Sequence, residues 1–217
     1  MRKFGFTLAE VIITIGIIGV VSILVISPLV NNYKKSVTIN GLKKMYNTFT
    51  NVLQRAEVDN GSISEWQFST SDEFSRKYLE PYFEGVTKNV KYDMYNPAMG
   101  KIINTGDQGP AHICIKNGMC YWMYTHQIDE FINKSGGYFL IFADMNGKKG
   151  PNMLNRDIFT FSISLSNKKI VPTGMGSSRN SLLKGCTKNN SNAFHSGKYC
   201  AALIITDGWE IKDGYPW

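Results

Sequence analysis

Histidine is scarce in this chain. Three stand among 217 residues, at positions 112, 126 and 195, and none has a companion at metal-site spacing. The four cysteines form no C-x2-C pair, which disfavours a structural zinc site. No G-x-S-x-G, P-loop, H-E-x-x-H or recognisable pair of catalytic carboxylates is present, so no motif points to an enzyme. The 24 basic and 17 acidic residues give +7, but no Lys/Arg-dense face stands out, which argues against nucleic acid as a partner. The low hydrophobicity of disordered chains is missing too, since 43% of residues are apolar. Charge is absent over one long stretch: the 20 positions from Val11 to Val30 carry none.

That stretch is the most informative part of the chain. Counted from Phe6, a helix to Val30 reaches roughly 37 Å at about 1.5 Å per residue. A hydrocarbon core of about 30 Å can be crossed by it. Arg2 and Lys3 precede it and favour a cytoplasmic N-terminus. Lys34 and Lys35 follow it, so the charge bias is not clean. A cleaved secretory signal would have an apolar core of about 7–15 residues and a small-residue cleavage site; this run is longer and no A-x-A pattern closes it. A plain signal anchor explains the length but has no use for Glu10. A charge within a lipid-facing helix costs at least about 2.5 kcal/mol, which points to a function and a partner charge.

The opening string "RKFGFTLAEVIITIGIIGVV" resembles the leader and first helix of type IV pilins and type II secretion pseudopilins. The pattern is a short basic leader ending in Gly, then Phe-Thr-Leu-X-Glu, then an apolar helix. The resemblance implies a leader of residues 1–5, cut between Gly5 and Phe6 by a prepilin peptidase that methylates the new Phe6 amine. It implies a membrane-spanning and filament-core helix over residues 6–30, with Glu10 meeting the Phe6 amine of a neighbouring subunit in the filament. At low effective dielectric such a pair attracts far more than in water, and an unpaired buried charge is strongly disfavoured. Before assembly, Glu10 can also snorkel to the headgroups. Gly16 and Gly19 lie three apart and permit close helix approach. Pro28 removes a backbone donor and is expected to kink or open the helix, and the family likeness places a flexible stretch at Gly19 to Pro28.

Residues 31–60 read differently. Leu42, Met45, Tyr46, Phe49, Val52, Leu53 and Ala56 follow the spacing of an amphipathic helix. Asn60-Gly61 is a stop signal, and Gly41 is expected to mark a bend. Residues 61–217 then form a globular domain. Ser71 is the expected cap of a short helix bearing Phe74, Tyr78 and Tyr82 on one face. Residues 85–110 show no period and read as loop. "HICIKNGMCYWMYT" is a hairpin with Asn117-Gly118 at its turn. "GYFLIFADMNG" is a strand, and "DIFTFSISLSNKKIVP" reads as two strands around Ser166-Asn167. "YCAALIITDGWEIKDGYPW" reads as a helix capped by Gly208, with a strand as the alternative. The expected fold class is α+β: a long N-terminal helix whose second half packs on an antiparallel sheet, the layout that the pilin resemblance also implies.

Three cysteine pairings are possible. A strict two-residue turn would set Cys114 and Cys120 on opposite faces, so a Cys114–Cys120 bond needs a longer loop or a bulge. The likeness to the C-terminal disulfide loop of pilins favours Cys186–Cys200, with Cys114–Cys120 beside it. Asp144 and Asn146 open a D-x-N-G string similar to a calcium loop, and some pseudopilins bind calcium in their sheet region. Here, however, Gly comes early and no Glu closes the loop. The other reading is a turn in which Asp144 caps its own amides.

The expected function is that of a structural filament subunit of a type IV pilus or type II pseudopilus, not an enzyme. Its expected partners are homologous subunits, the peptidase, an inner-membrane assembly platform and, before assembly, lipid. It is expected as a single-pass protein of the cytoplasmic membrane with residues 61–217 outside the cytoplasm. The alternative is a minor pilin acting as a membrane-tethered adhesion or DNA-uptake module.

Overall fold

The structure is a computed structural model, and it describes residues 5–96, 100–103, 112–124, 138–164, 169–187 and 197–217. The chain divides into two compact units, Met1–Thr38 and Ile39–Trp217. One helix, α1 (Leu8–Asn60), supplies residues to both.

In the first unit α1 is apolar on all sides, and its large side chains from Val11 to Val30 are exposed. An exposed apolar surface of this extent marks a site of contact with protein or membrane. Among the described residues, α1 is the one helix long and apolar enough to cross a membrane. Helical backbone runs unbroken through Pro28, so the expected opening there is not found. Pro28 supplies no amide to the Leu24 carbonyl one turn earlier, and the ladder closes again on both sides.

In the second unit the helix becomes one-sided. Leu42, Met45, Phe49, Val52, Leu53 and Ala56 are buried and Tyr46 half-buried, while Lys43, Lys44, Asn47, Asn51, Gln54 and Arg55 are exposed. The expected stripe is thus the core stripe. Helical backbone continues through Gly41, and the Met145 side chain sits where a Cβ would stand. The helix stops at Asn60 because Gly61 adopts φ +75°, a left-handed conformation that glycine takes without strain.

The stripe covers one face of a six-stranded antiparallel sheet. Its strands are β1 (Thr87–Val90), β4 (His112–Cys114), β5 (Cys120–Tyr124), β6 (Tyr138–Asp144), β7 (Ile158–Ser164) and β8 (Lys169–Pro172), in the order β1-β4-β5-β6-β7-β8. A second pair, β2 (Met94–Asn96) and β3 (Gly100–Ile103), forms its own small sheet. The loop expected over residues 85–110 therefore contains β1, β2 and β3. These strands are three or four residues long, too short to show alternation. Alternation divides the main sheet into two cores. Tyr121, Ile141, Ala143, Phe159, Phe161 and Ile163 meet the helix stripe. Cys120, Trp122, Phe142 and Ile158 join Tyr92, Met94 and Leu154 in a second cluster. Phe49 sits in the first, with ring contacts to Phe83, Tyr121 and Phe161 at 5.5–5.9 Å.

One helix cap differs from expectation. α2 (Ser71–Phe74) is capped by Thr70, whose hydroxyl accepts from the Glu73 amide at 3.0 Å; Ser71 is its first residue. It then widens into a π turn at Ser75–Leu79 and a 3-10 turn at Glu80–Tyr82. α3 (Arg179–Gly185) and α4 (Cys200–Thr206) complete the described α-helices. The C-terminal string is thus helical. Its end is a Schellman turn: the Gly208 amide donates to Ile205 and the Trp209 amide to Ile204, with Gly208 at φ +84°. The strands around Ser166-Asn167 are both present, and that turn lies outside the described residues, as do His126 and His195.

The role of Phe49 can be measured. Phe49→Ala should cost about 3–5 kcal/mol, lowering the unfolding midpoint by roughly 6–20 °C, whereas Asn51→Ala on the exposed face should change stability by less than about 0.5 kcal/mol. Thermal unfolding of the detergent-solubilised chain checks both.

Candidate functional site

The segment from Gly5 to Glu10 brings the resemblance-derived residues together. Gly5, Phe6 and Thr7 precede the helix, and Phe6 is 90% exposed. A Cβ built on Gly5 would meet nothing within 4 Å. Thr7 is the last non-helical residue, and α1 begins at Leu8. The Thr7 amide and the Thr7 hydroxyl both donate to Glu10 Oε2, at 2.8 Å each. In return the Glu10 amide donates to Thr7 Oγ1 at 3.3 Å. This reciprocal arrangement is a capping box. It satisfies amide donors that the first turn of any helix leaves open, and the carboxylate lies at the positive end of the helix dipole. The signature was readable as T-L-A-E before an apolar run, but the resemblance drew attention to Glu10 alone. One turn further, the Thr14 hydroxyl donates to the Glu10 carbonyl at 2.6 Å. Gly16 and Gly19 leave open surface, with no atom within 4 Å of either built Cβ.

The second cluster of charge is buried behind the sheet. Asp144 and Asp157 are each 0% exposed. Asp144 Oδ1 accepts from the amides of Asn146 at 3.0 Å and Gly147 at 2.8 Å. Asp157 accepts from the amides of Asn152 at 2.7 Å and Met153 at 2.6 Å. The two carboxylates therefore pin both ends of the loop that joins β6 to β7. Burial and the neighbouring Asp157 push the Asp144 carboxyl up to about 7, against the opposing pull of the Asn146 and Gly147 amides and Tyr92. Asp157 is raised as well, mainly by burial. Nearby His112, stacked on Tyr92 at 4.2 Å, is lowered to about 4 by burial, although Nδ1 contacts the Val90 carbonyl at 3.1 Å.

Asp144 and Asn146 thus form the turn alternative: Asp144 caps its own loop, and Asn146 Nδ2 donates to the Gly150 carbonyl at 2.9 Å. The residues that could hold a cation here are Asp144, Asp157 and Asn146. Among the described residues no group of three or more His, Cys, Asp or Glu is assembled, against the roughly six to eight oxygens that calcium takes. Asp157 was missed in the sequence because its partner lies across a long loop, with no periodic spacing to link them.

Both expected disulfides are formed, Cys114–Cys120 and Cys186–Cys200. The first depends on a bulge. Ile115 N donates to Met119 O and Gly118 N to Ile115 O, at 2.9 Å each, with Gly118 at φ +90°. The turn has three residues instead of two, so Cys114 stands opposite Cys120. The second bond joins α3 to α4, where Arg179 also pairs with Asp207 through Nε and Nη2, at 2.6 and 2.8 Å.

A family model matches residues 28–217. The chain belongs to DUF6613, a family of unknown function. No curated protein and no solved structure matches this DUF6613 chain. The match starts at Pro28, so the Gly5–Glu10 segment lies before the family-defining region.

The buried acid pair sets a pH dependence. Asp144 has a folded pKa above its unfolded value near 3.8. Its contribution to stability is therefore full below that value and is lost as pH rises towards 7. Asp144→Asn keeps an oxygen for the two amides and removes the charge. Relative to wild type it should gain stability from pH 4 to pH 8, by on the order of a few kcal/mol, in denaturation curves taken without divalent metal. Comparing the two proteins cancels the opposite trend that His112 imposes between about pH 4 and 6.5.

Proposed function

We propose that this chain is a pilin-like filament subunit, held in the cytoplasmic membrane by α1 and polymerised through it. The observation that carries the reading is one carboxylate, Glu10, in the first turn of a helix whose next 20 residues, Val11 to Val30, carry no charge and expose their large apolar side chains. In lipid or in a packed bundle of such helices, that charge needs a partner. A prepilin peptidase cutting at Gly5–Phe6 would create one, because the new Phe6 amine is positive and lies just before the capped turn. Between neighbouring subunits the pair fixes one register, since any other leaves two buried charges uncompensated. Gly16 and Gly19 let backbones approach. The second unit, with its amphipathic helix stripe on an antiparallel sheet and two disulfides, suits an oxidising space outside the cytoplasm. The motor, the assembly platform and the peptidase are separate proteins in this reading, and the chain itself performs no catalysis.

The purified mature chain should begin at methylated Phe6 by mass spectrometry, and an intact Met1 in cells with an active peptidase overturns the reading. Glu10→Ala should be processed and stable yet absent from filaments. Breaking a buried pair costs about 3–5 kcal/mol, so filament yield should fall by more than about a hundredfold.

A further inference from the structure

We propose that Asn117 is a site of spontaneous covalent modification, at which the folded chain converts the asparagine amide into an aspartate or isoaspartate carboxylate through a cyclic imide. The inference stands apart from the filament reading. Four Asn-Gly pairs occur in the chain, at Asn40, Asn60, Asn117 and Asn146. A following glycine leaves the backbone nitrogen open to ring closure, and the fold treats the four pairs differently. Asn40-Gly41 lies inside α1, where cyclisation would require rotation against the hydrogen-bond ladder on both sides. Asn60 ends α1, and its Nδ2 donates to the Ala56 carbonyl at 2.9 Å and to the Tyr82 hydroxyl at 2.7 Å, which ties down the leaving nitrogen. Asn146 Nδ2 donates to the Gly150 carbonyl at 2.9 Å, and the Gly147 amide donates to the buried Asp144 carboxylate at 2.8 Å. Asn117 and Gly118, by contrast, are exposed at the tip of the turn between β4 and β5. The Met119 amide donates to Asn117 Oδ1 at 2.9 Å, an Asx turn. The ring closed by this bond contains both Asn117 Cγ and the Gly118 nitrogen, so the reacting atoms are held close. The same Met119 amide faces the oxygen on which negative charge develops. A Cβ built on Gly118 meets nothing within 4 Å, so the ring has room to form.

The Gly118 amide first leaves the Ile115 carbonyl, to which it donates at 2.9 Å; an exposed turn can do this with no strand or helix broken. Its nitrogen gives its proton to hydroxide and bonds to Asn117 Cγ. The Cγ–Nδ2 bond then breaks, and the departing nitrogen takes a proton from water and leaves as ammonia. Water adds to either carbonyl of the imide, one ring C–N bond breaks, and a carboxylate results. The Cys114–Cys120 bond closes the base of the turn, so β4 and β5 stay joined whichever product forms. The new charge changes its surroundings. Asn117 lines a cleft of about 500 Å³ beside Arg55, Lys116 and Glu84, and a carboxylate at this position cancels the excess of cations there.

Purified full-length chain in detergent, held at mildly alkaline pH and sampled over days, supplies the test. Peptide mapping by mass spectrometry should show conversion at Asn117 about tenfold or more faster than at Asn40, Asn60 or Asn146. With the chain unfolded in denaturant and its bridges reduced, the four sites should react within a few-fold of one another, because the fold no longer separates them. Labelling by an isoaspartyl methyltransferase and an acidic shift on isoelectric focusing should grow with age in the wild-type chain. Both should disappear in Asn117→Gln, whose larger imide ring closes far more slowly, and thermal unfolding should be the same before and after ageing. Conversion in the folded chain that is as fast at Asn60 or Asn146 as at Asn117 overturns the proposal, as does a label that survives Asn117→Gln. The wild-type peptide map decides the matter by itself if that variant does not fold.

Discussion

A carboxylate in the first turn of an apolar helix must be satisfied locally, by water, or by another molecule. Glu10 is met locally by Thr7 through two hydrogen bonds to a single oxygen. That arrangement has two consequences. It lowers the cost of carrying a charge at the edge of a membrane-length helix, because the carboxylate sits at the helix N-terminus beside amides that need an acceptor. It also leaves the charge itself uncompensated, since amides and hydroxyls are dipoles and not cations. The helix can therefore exist alone with Glu10 near an aqueous interface, while burial among other helices demands a cation. In the filament reading proposed above, such an arrangement would separate a stored form from an assembled form with no change in fold.

The second unit obeys a different constraint: one sheet must bury two faces. The α1 stripe covers one of them, and the ring of Phe49 is its centre. Among the described residues no long helix covers the other face. It is closed by short strands, by Tyr92, Met94 and Leu154, and by the loop that Asp144 and Asp157 hold through backbone amides. A loop built from glycine and asparagine has little apolar surface with which to hold itself down. Buried carboxylates supply strong acceptors instead, at the cost of placing two like charges together. Gly147 belongs to the same solution, because its built Cβ would come within 2.8 Å of Cys120 Sγ. The loop thus packs directly on the Cys114–Cys120 bridge.

Legibility in the sequence followed the range of each interaction. The helix stripe from Leu42 to Ala56, strands β6 and β7, and the stop at Gly61 were readable, because each is written in a local period or a single conformational demand. Strands β1 to β3 were not readable: Asn89 takes φ +58°, and the pairing of β1 with β4 shifts register between Thr87 and Val90. No alternation survives such interruptions. The contact of Gly41 with Met145 was not readable, because the two lie more than a hundred residues apart. The Thr7 capping box was local and legible, and was passed over because the family likeness explained Glu10 by an intermolecular partner first. Asp157 was out of reach, since nothing near it in the chain announces a second carboxylate behind the sheet.

Two separate lines bear on the orientation proposed for the chain. Arg2 and Lys3 before the apolar run favour retention of the N-terminus in the cytoplasm, though Lys34 and Lys35 after it weaken that bias. The disulfides are independent of it. All four cysteines are paired, in one bridge near the middle of the second unit's sequence and one towards its end. Such bonds persist in oxidising compartments and are rare in the cytosol. An orientation that kept the second unit in the cytoplasm would expose both bridges to reduction. The opposite orientation places the Gly5–Phe6 junction on the cytoplasmic side and the bridges outside. The charges that precede α1 and the covalent bonds that follow it therefore ask for the same topology.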